Sequence, residues 1–283
     1  MAQRGRNPGP PPGVQAVAAG AAVLTLAFEA GHARPVAHPP AHLTHSILVD
    51  NSASLIPAND AARLQALDGY QLLDARSEKV LDDVVAATAR LFGASNAMLS
   101  IVEKDEVLVK APYNLPVAIE RIPRGQSLCS ATILQDDTAV FENLNLASAP
   151  GVDISLLQQL GLSFYAGHNL RTPEGYNLGS LCVYDGPPRQ FAPVERALLA
   201  TLAGVVMRLL ELRRTLGAHA DRTAVLWDPV YRAIGGQLAR LTALADRTAT
   251  ASNPPALTEG VAAEVKAIAA VVDQFVAATL KRA

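Results

Sequence analysis

The segment at residues 163–185 constrains the fold of this chain more than any other stretch. It reads SFYAGHNLRTPEGYNLGSLCVYD, with β-branched and aromatic residues on both sides of Pro173, Glu174, Gly175 and Tyr176. Proline and glycine in that arrangement are typical of a tight turn, and the flanking runs are typical of strands. The segment therefore predicts a β-hairpin with a two-residue turn at Glu174 and Gly175.

The register of that hairpin divides its side chains into two sets. A two-residue turn pairs Gly167 with Cys182, and strand side chains alternate between the two faces of a sheet. One face is nearly all apolar and suits packing against helices: Phe164, Ala166, His168, Leu170, Leu181 and Val183. The other face, the mixed face, combines aromatic, small and polar groups: Tyr165, Gly167, Asn169, Arg171, Leu178, Ser180, Cys182 and Tyr184. We expect the mixed face to form the wall of a ligand pocket.

Composition argues against several classes of partner. The 283 residues carry a formal net charge of -2, with 18% charged and 5% aromatic residues. Such a chain offers neither a basic surface for phosphates nor a stacking platform for single strands. Two cysteines, Cys129 and Cys182, are too few for a disulfide framework, so a reducing compartment is expected. We therefore predict a cytoplasmic protein that binds neither nucleic acid nor a membrane.

The first 56 residues differ from the rest and predict a poorly ordered extension. Arginines and a run of prolines open the chain, and this composition disfavours a packed core. Residues 14–28 form an apolar run that is too short for a bilayer core, and a signal peptide is the alternative interpretation. The run is followed by His32, His38, His42 and His45. Their irregular spacing, without cysteine or carboxylate partners, predicts no metal site.

From residue 57 onward, helical patterns alternate with short strand patterns. Apolar residues at helical spacing predict helices, and β-branched runs between polar turns predict strands. The predicted elements are helices at 61–72 and 77–92, strands at 97–102 and 107–113, an irregular connection at 114–125, a short helix at 127–135, a strand at 138–142, a helical turn at 154–160, the hairpin, and a long helix at 193–216. Two further helices at 220–248 and 257–281 predict a C-terminal helical hairpin.

Four segments of this region match one family in sequence and in order. They are ARLFGASNAMLSIVEKDEVLVKA, SLCSATIL, the hairpin segment and FAPVERALLATLA. They resemble the bacterial GAF domains that precede histidine kinases and diguanylate cyclases, and the resemblance covers about residues 59–216. It implies an α+β fold, with a GAF-like six-stranded antiparallel sheet and helices on both faces, followed here by the α-helical hairpin. It also implies a small-molecule pocket and signalling by terminal helices in a dimer, without naming a ligand.

The expected organisation has three parts. These are the N-terminal extension at 1–56, a GAF-like sensor domain at 57–216 and the helical hairpin at 217–283. Beyond Arg214 the sequence holds no phosphoacceptor motif, Gly-rich ATP loop or cyclase signature. We therefore expect a sensory or regulatory module that is not an enzyme and that acts on a separate signalling protein such as a kinase. We also expect a homodimer with coiled-coil contacts, formed by the long helix and the hairpin.

The candidate ligand-binding residues come from the mixed face and from the short helix before it. They are Tyr165, Asn169, Arg171, Cys182, Tyr184 and Cys129. The cofactor stays unknown, because residues 150–160 lack a cysteine for a covalent bilin and no Gly-rich loop marks a cyclic-nucleotide site. Binding of a cyclic nucleotide stays open, with Asn143, Asn145, Asp153 and Arg171 as polar candidates. His168, where the resembling domains have a small residue, is expected to be hydrogen-bonded at the margin of the sheet.

Two alternatives differ from a sensor in kind. Some small GAF proteins reduce free methionine sulfoxide, which requires a nucleophilic thiolate and a resolving thiol. Cys129 and Cys182 have no Lys, Arg or His beside them in sequence, so we expect them to be buried as small apolar side chains. The other alternative is a dimerisation scaffold that binds no ligand.

Overall fold

The computed structural model describes residues 55–73, 78–217, 223–251 and 257–281. The N-terminal apolar run, its signal-peptide alternative and the four histidines at 32–45 lie outside the described residues. Leu55, which we assigned to the extension, is buried against the sheet. Packed structure therefore begins before residue 57.

Helices and short strands follow each other in the predicted order. The helices are α1 (Asp60–Asp68), α2 (Lys79–Phe92), α3 (Leu128–Thr132), α4 (Ser155–Gln159), α5 (Pro193–Gly217), α6 (Thr223–Ala251) and α7 (Glu259–Leu280). The strands are β1 (Asn96–Val102), β2 (Glu106–Tyr113), β3 (Arg121–Pro123), β4 (Ala139–Phe141), β5 (Phe164–Arg171) and β6 (Asn177–Asp185). The Ser127 side chain accepts a hydrogen bond from the Cys129 backbone N–H and thereby caps α3.

The six strands form one antiparallel sheet in the order β3-β2-β1-β6-β5-β4. This confirms the predicted sheet, but β3 lies inside the connection that we predicted to be irregular. It pairs with the start of β2, with Val107 facing Ile122. Three residues are too few to show an alternating pattern, and Pro123 is tolerated because the strand lies at the edge of the sheet.

The β5–β6 hairpin keeps the predicted register although its turn differs. Gly167 faces Cys182 as predicted, but the loop has three residues, because the backbone N–H of Thr172 donates to Tyr176 O at 2.9 Å. Gly175 has a φ of +92°, which glycine adopts without strain. An irregularity between Asn169 and Arg171 offsets the extra loop residue. It also turns the Leu178 side chain to the helix-packed face. We had predicted that this side chain lies on the mixed face.

Helices cover both faces of the sheet, as predicted. α2 and α5 pack on one face, and α3 packs on the other. α6 lies along α2 and α7 lies along α5, and their apolar side chains join one continuous core with the first face of the sheet. The long α5 is thus covered by α7 of the same chain. The boundary that we drew at residue 216 stays a prediction.

Candidate functional site

Four of the six candidate residues meet on the face of the sheet that carries α3. The Sγ atom of Cys129, on α3, lies 3.8 Å from the Cys182 Sγ on β6. It lies at the same distance from the hydroxyl oxygens of Tyr184 and Tyr165. The two tyrosine rings are in contact, with centroids 5.0 Å apart and an edge-on orientation. We call Cys129, Tyr165, Cys182 and Tyr184 the thiol–tyrosine cluster.

The thiol–tyrosine cluster is filled by its own side chains. All four residues are buried, and the Tyr165 hydroxyl lies 2.6 Å from Thr132 Oγ1 on α3. Gly167 leaves room above β5, and the ring of Tyr165 takes it: a Cβ atom at Gly167 would meet Tyr165 Cζ at 2.7 Å. The glycine gap therefore holds a tyrosine ring.

Burial changes the protonation of the cluster. It raises the pKa of Tyr165, Tyr184 and Cys182 well above their usual values, so these groups keep their protons at neutral pH. Burial also raises the pKa of Cys129, but hydrogen bonds from Cys182 and neighbouring serine hydroxyls outweigh it and lower that pKa to about 5. Hydrogen bonds therefore favour the thiolate form of Cys129, and burial favours the thiol form of Cys182.

Buried hydroxyl groups extend the cluster toward the centre of the sheet. Ser100 on β1 and Ser180 on β6 face each other, with their hydroxyl oxygens 3.1 Å apart. Ser130 on α3 is also fully buried, and its hydroxyl has no hydrogen-bond partner among the described residues. Ser100 and Ser180 supply hydroxyl donors near the Cys129 sulfur atom.

Asn169 and Arg171, the other two candidates, do not join the cluster. The Asn169 side chain is buried and donates to the backbone oxygen of Gln135, so it fixes the segment after α3. Arg171 is exposed and pairs with Asp136. Arg171 is the last residue of β5 and therefore lies at the tip of the hairpin, away from the sulfur atoms.

The polar loop candidates stabilise the connection before β5. The Asn143 side chain accepts from the backbone N–H of Asn145 at 3.0 Å, and Asp153 accepts from the backbone N–H of Ser155 at 2.9 Å. The Asn145 amide donates to Ser163 Oγ at 3.0 Å. These contacts are the local turns and caps that Asn and Asp side chains commonly form.

His168 has the hydrogen-bonded environment that the sequence predicted. Its Nδ1 lies 2.8 Å from Thr138 Oγ1, and that hydroxyl also donates to the backbone oxygen of Arg196 on α5 at 3.3 Å. Burial lowers the pKa of His168, while the charge of Asp137 acts in the opposite direction. The contact joins the β4–β5 edge of the sheet to α5.

An apolar crevice lies beside the cluster and was not predicted. It has a free volume of about 40 Å³ and is bounded by the sheet, the connection between β2 and β3, and α4. Its lining is Met98, Leu115, Pro116, Val117, Ile119, Ile122, Leu156, Leu157, Leu160, Leu162 and Tyr184. We name this feature the apolar crevice. A signal was present in the sequence, because the connection at 114–125 is rich in apolar residues for a loop.

Tyr184 belongs to both features. Its ring lines the apolar crevice, and its hydroxyl contacts Cys129. Met98 also lines the crevice, and its backbone oxygen accepts from Cys182 Sγ at 3.5 Å. One layer of residues therefore separates the crevice from the sulfur atoms.

Neither a metal centre nor a membrane span is found in the described part of the chain. No group of three or more His, Cys, Asp or Glu side chains converges there. None of the helices described is both long and apolar enough to cross a bilayer.

The sheet order, with helices on both faces and a crevice beside α4, defines an α+β domain. Residues 76–210 match the model of the GAF domain family, and this part of the chain is a GAF domain. The recognition made from the four sequence segments is confirmed.

A curated relative and several solved structures are similar to this chain. A cyclic di-GMP phosphodiesterase of Pseudomonas aeruginosa is 34% identical over 163 residues, which are 56% of this chain and 27% of the relative. The chain thus spans about a quarter of the length of that relative. The GAF domain of a phosphoenolpyruvate-protein phosphotransferase from Coxiella burnetii is 20% identical, with a TM-score of 0.43 over 59% of this chain and 99% of the other. A free methionine-R-sulfoxide reductase from Neisseria meningitidis is 18% identical, with a TM-score of 0.40 over 53% of this chain and 89% of the other.

Proposed function

We propose that this chain is a sensory module whose GAF domain binds a small, mainly apolar molecule in the apolar crevice. The crevice itself is the observation that carries the proposal. Its lining is almost entirely apolar, as in most small-molecule sites, and its free volume of about 40 Å³ means that a ligand enters only as the walls move apart. This site lies beside the one that we expected, whose space is filled by the Tyr165 ring, and the two share Tyr184.

The walls of the apolar crevice differ in how firmly they are held. Met98 and Tyr184 come from central strands of the sheet, whereas Val117 and Leu157 come from the β2–β3 connection and from α4. The connection is largely exposed, and α4 has only five residues. A ligand that filled the crevice would hold both segments against the sheet.

The sheet has a direct route to the C-terminal helices. β5 and β6 pack on α5, which packs on α7, while α2 packs on α6. In this proposal, ligand binding alters how the hairpin of α6 and α7 is held and presented to a separate signalling protein, such as a kinase. The relative named as a cyclic di-GMP phosphodiesterase supports a role in signalling. Catalysis is assigned to the partner, and a homodimer through the C-terminal helices is part of the same proposal.

A fluorescent apolar probe tests the crevice. We expect 1-N-phenylnaphthylamine to bind the full chain with a saturable rise in emission. Val117→Asp places a charge in the crevice wall, and desolvating it should weaken binding about tenfold or more. Leu146→Asp is the matched control, because Leu146 is 84% exposed and lies outside the lining. Equal binding by all three proteins would contradict the proposal.

A ligand-free scaffold is the second candidate function. The ring of Tyr165 over Gly167 favours it, because the space beside that glycine is filled without a ligand. A scaffold would show no saturable probe binding in wild type and would still form a homodimer by light scattering. The thiol reductase gains no such support, because both cysteines are fully buried and a substrate as large as methionine sulfoxide would not reach a thiolate there without a rearrangement of the site.

A further inference from the structure

The cysteine pair has the placement that an intramolecular disulfide requires. Cys129 lies on α3 and Cys182 lies on β6, 53 residues apart, with their Sγ atoms at 3.8 Å. Both are free thiols in the structure. A disulfide bond is about 2.05 Å long, so the two sulfur atoms need to approach by less than 2 Å. A five-residue helix, α3, carries one of them.

The two sulfur atoms have different surroundings. Cys129 Sγ lies among the hydroxyl groups of Tyr165 and Tyr184 and the thiol of Cys182, all of which can donate to a thiolate. Cys182 Sγ donates to the backbone oxygen of Met98, which favours its protonated form. Hydrogen bonds thus assign the nucleophile to Cys129 and the resolving thiol to Cys182, in agreement with the directions of their pKa values.

A short path leads from solvent to the pair. Tyr184 lines the apolar crevice and contacts Cys129, and Met98 lines the crevice and contacts Cys182. A molecule in the crevice is therefore one side chain away from each sulfur. Hydrogen peroxide is close to water in size, so it is the hydroperoxide whose entry requires the smallest displacement of the Tyr184 ring.

We propose that Cys129 and Cys182 form a reversible disulfide when the protein meets a hydroperoxide. The Cys129 sulfur attacks the terminal oxygen and forms an S–O bond while the O–O bond breaks, and the remaining hydroxide or alkoxide takes up a proton and leaves as water or an alcohol. The resulting sulfenic acid is attacked by the Cys182 sulfur, which forms the S–S bond and releases water. In total, two thiols lose two electrons and two protons, and one hydroperoxide is reduced. A dithiol returns the pair to thiols by exchange.

The bond would act on the signalling core. It would join α3 covalently to the central strand beside Tyr184 and Met98, which are two walls of the apolar crevice. In a reducing compartment such a disulfide is transient and serves redox sensing or catalysis. The proposal does not depend on a ligand in the crevice, because bond formation is measured directly.

Intact-mass analysis of the full chain tests the proposal. The reduced protein is exposed to hydrogen peroxide at neutral pH, quenched in acid, denatured and alkylated. We expect a product that has lost two hydrogen atoms, takes up no alkyl group, and returns to the doubly alkylated form after dithiothreitol. Digestion of the non-reduced product should yield one cross-linked peptide pair that contains Cys129 and Cys182.

Two variants assign the roles. In Cys182→Ser, sulfenic acid on Cys129 should accumulate and react with dimedone. In Cys129→Ser, the remaining thiol should react at least tenfold more slowly than Cys129 does in Cys182→Ser. If either variant does not fold, the cross-linked peptide pair from the wild-type protein is the test of the disulfide. Wild-type thiols that stay reduced while the urea-unfolded chain oxidises would overturn the proposal, as would disulfides found only between chains.

Discussion

The phenol ring of Tyr165 lies across Gly167, two residues further along β5, and occupies the space that a side chain would need. The ring is fully buried and its hydroxyl is fixed at Thr132, so it cannot move aside freely. Gly167→Ala should therefore destabilise the protein by about 1–3 kcal/mol, the usual cost of overpacking a core. Urea unfolding followed by circular dichroism measures the change.

Gly204→Ala is the matched control for this substitution. Gly204 lies in α5, and a Cβ there would meet nothing within 4 Å. Alanine favours a helix over glycine by up to about 1 kcal/mol, so the control should be as stable as wild type or more stable. If the two alanine variants were equally stable, the Tyr165 ring could not lie over Gly167.

A hydroxyl–carboxylate contact joins the segment after α1 to α5. The Tyr70 hydroxyl donates to the buried carboxylate of Glu211, and the guanidinium of Arg214 lies 5.0 Å from the centre of the Tyr70 ring. Arg214 also donates to Glu211 at 3.0 Å. Burial raises the pKa of Tyr70, so the phenol stays a donor. Tyr70→Phe should lower the free energy of unfolding by about 1.5–3 kcal/mol, as expected for a bond to a charged group.

Tyr176→Phe serves as the control in the same unfolding series. Tyr176 is only partly buried, beside the tip of the β5–β6 hairpin, so loss of its hydroxyl should change stability by less than about 0.5 kcal/mol. Equal losses in the two variants would show that the Glu211 contact contributes nothing beyond the shared loss of a hydroxyl.

The sequence predicted the sheet because its central strands carry long, regular patterns. The pairing of Gly167 with Cys182 was predicted from a two-residue turn, and it holds although the turn is longer, because the irregularity before Arg171 cancels the additional loop residue. The three-residue β3 could not be predicted from the residues, since so short a segment has no period. Pairing with Val107 on β2 defines it.

The candidate site was predicted only in part, for a different physical reason. Alternation correctly placed Tyr165, Cys182 and Tyr184 on one face, but it cannot show which side chain fills a gap in that face. Nor can it show that loop residues such as Val117 fold back over the sheet. The packing of α7 on α5 could not be predicted either, because an apolar stripe on a helix does not indicate whether it packs against the same chain or another one.

His168 should make stability depend on pH. Burial lowers its pKa in the folded protein, while the unfolded chain has an ordinary value of about 6.5. The neutral imidazole thus contributes stability that is fully present above the unfolded pKa and is lost as the pH falls through it toward the folded pKa. Wild type should lose more stability than His168→Gln between pH 7.5 and pH 5.5, in urea unfolding at each pH. If wild type and His168→Gln lost the same stability over this pH range, His168 would be excluded as the cause of the pH dependence.

The contact between α7 and α5 can be tested with two adjacent valines. Val272 is buried in the core shared with α5, whereas Val271 is 42% exposed. Val272→Asp buries a carboxylate among apolar side chains and should lower the free energy of unfolding by several kcal/mol, or detach α7. Val271→Asp adds the same charge one residue away and should change stability by less than about 0.5 kcal/mol. Thermal unfolding and limited proteolysis distinguish the cases, and equal behaviour of the two variants would mean that α7 does not pack on α5 through this face.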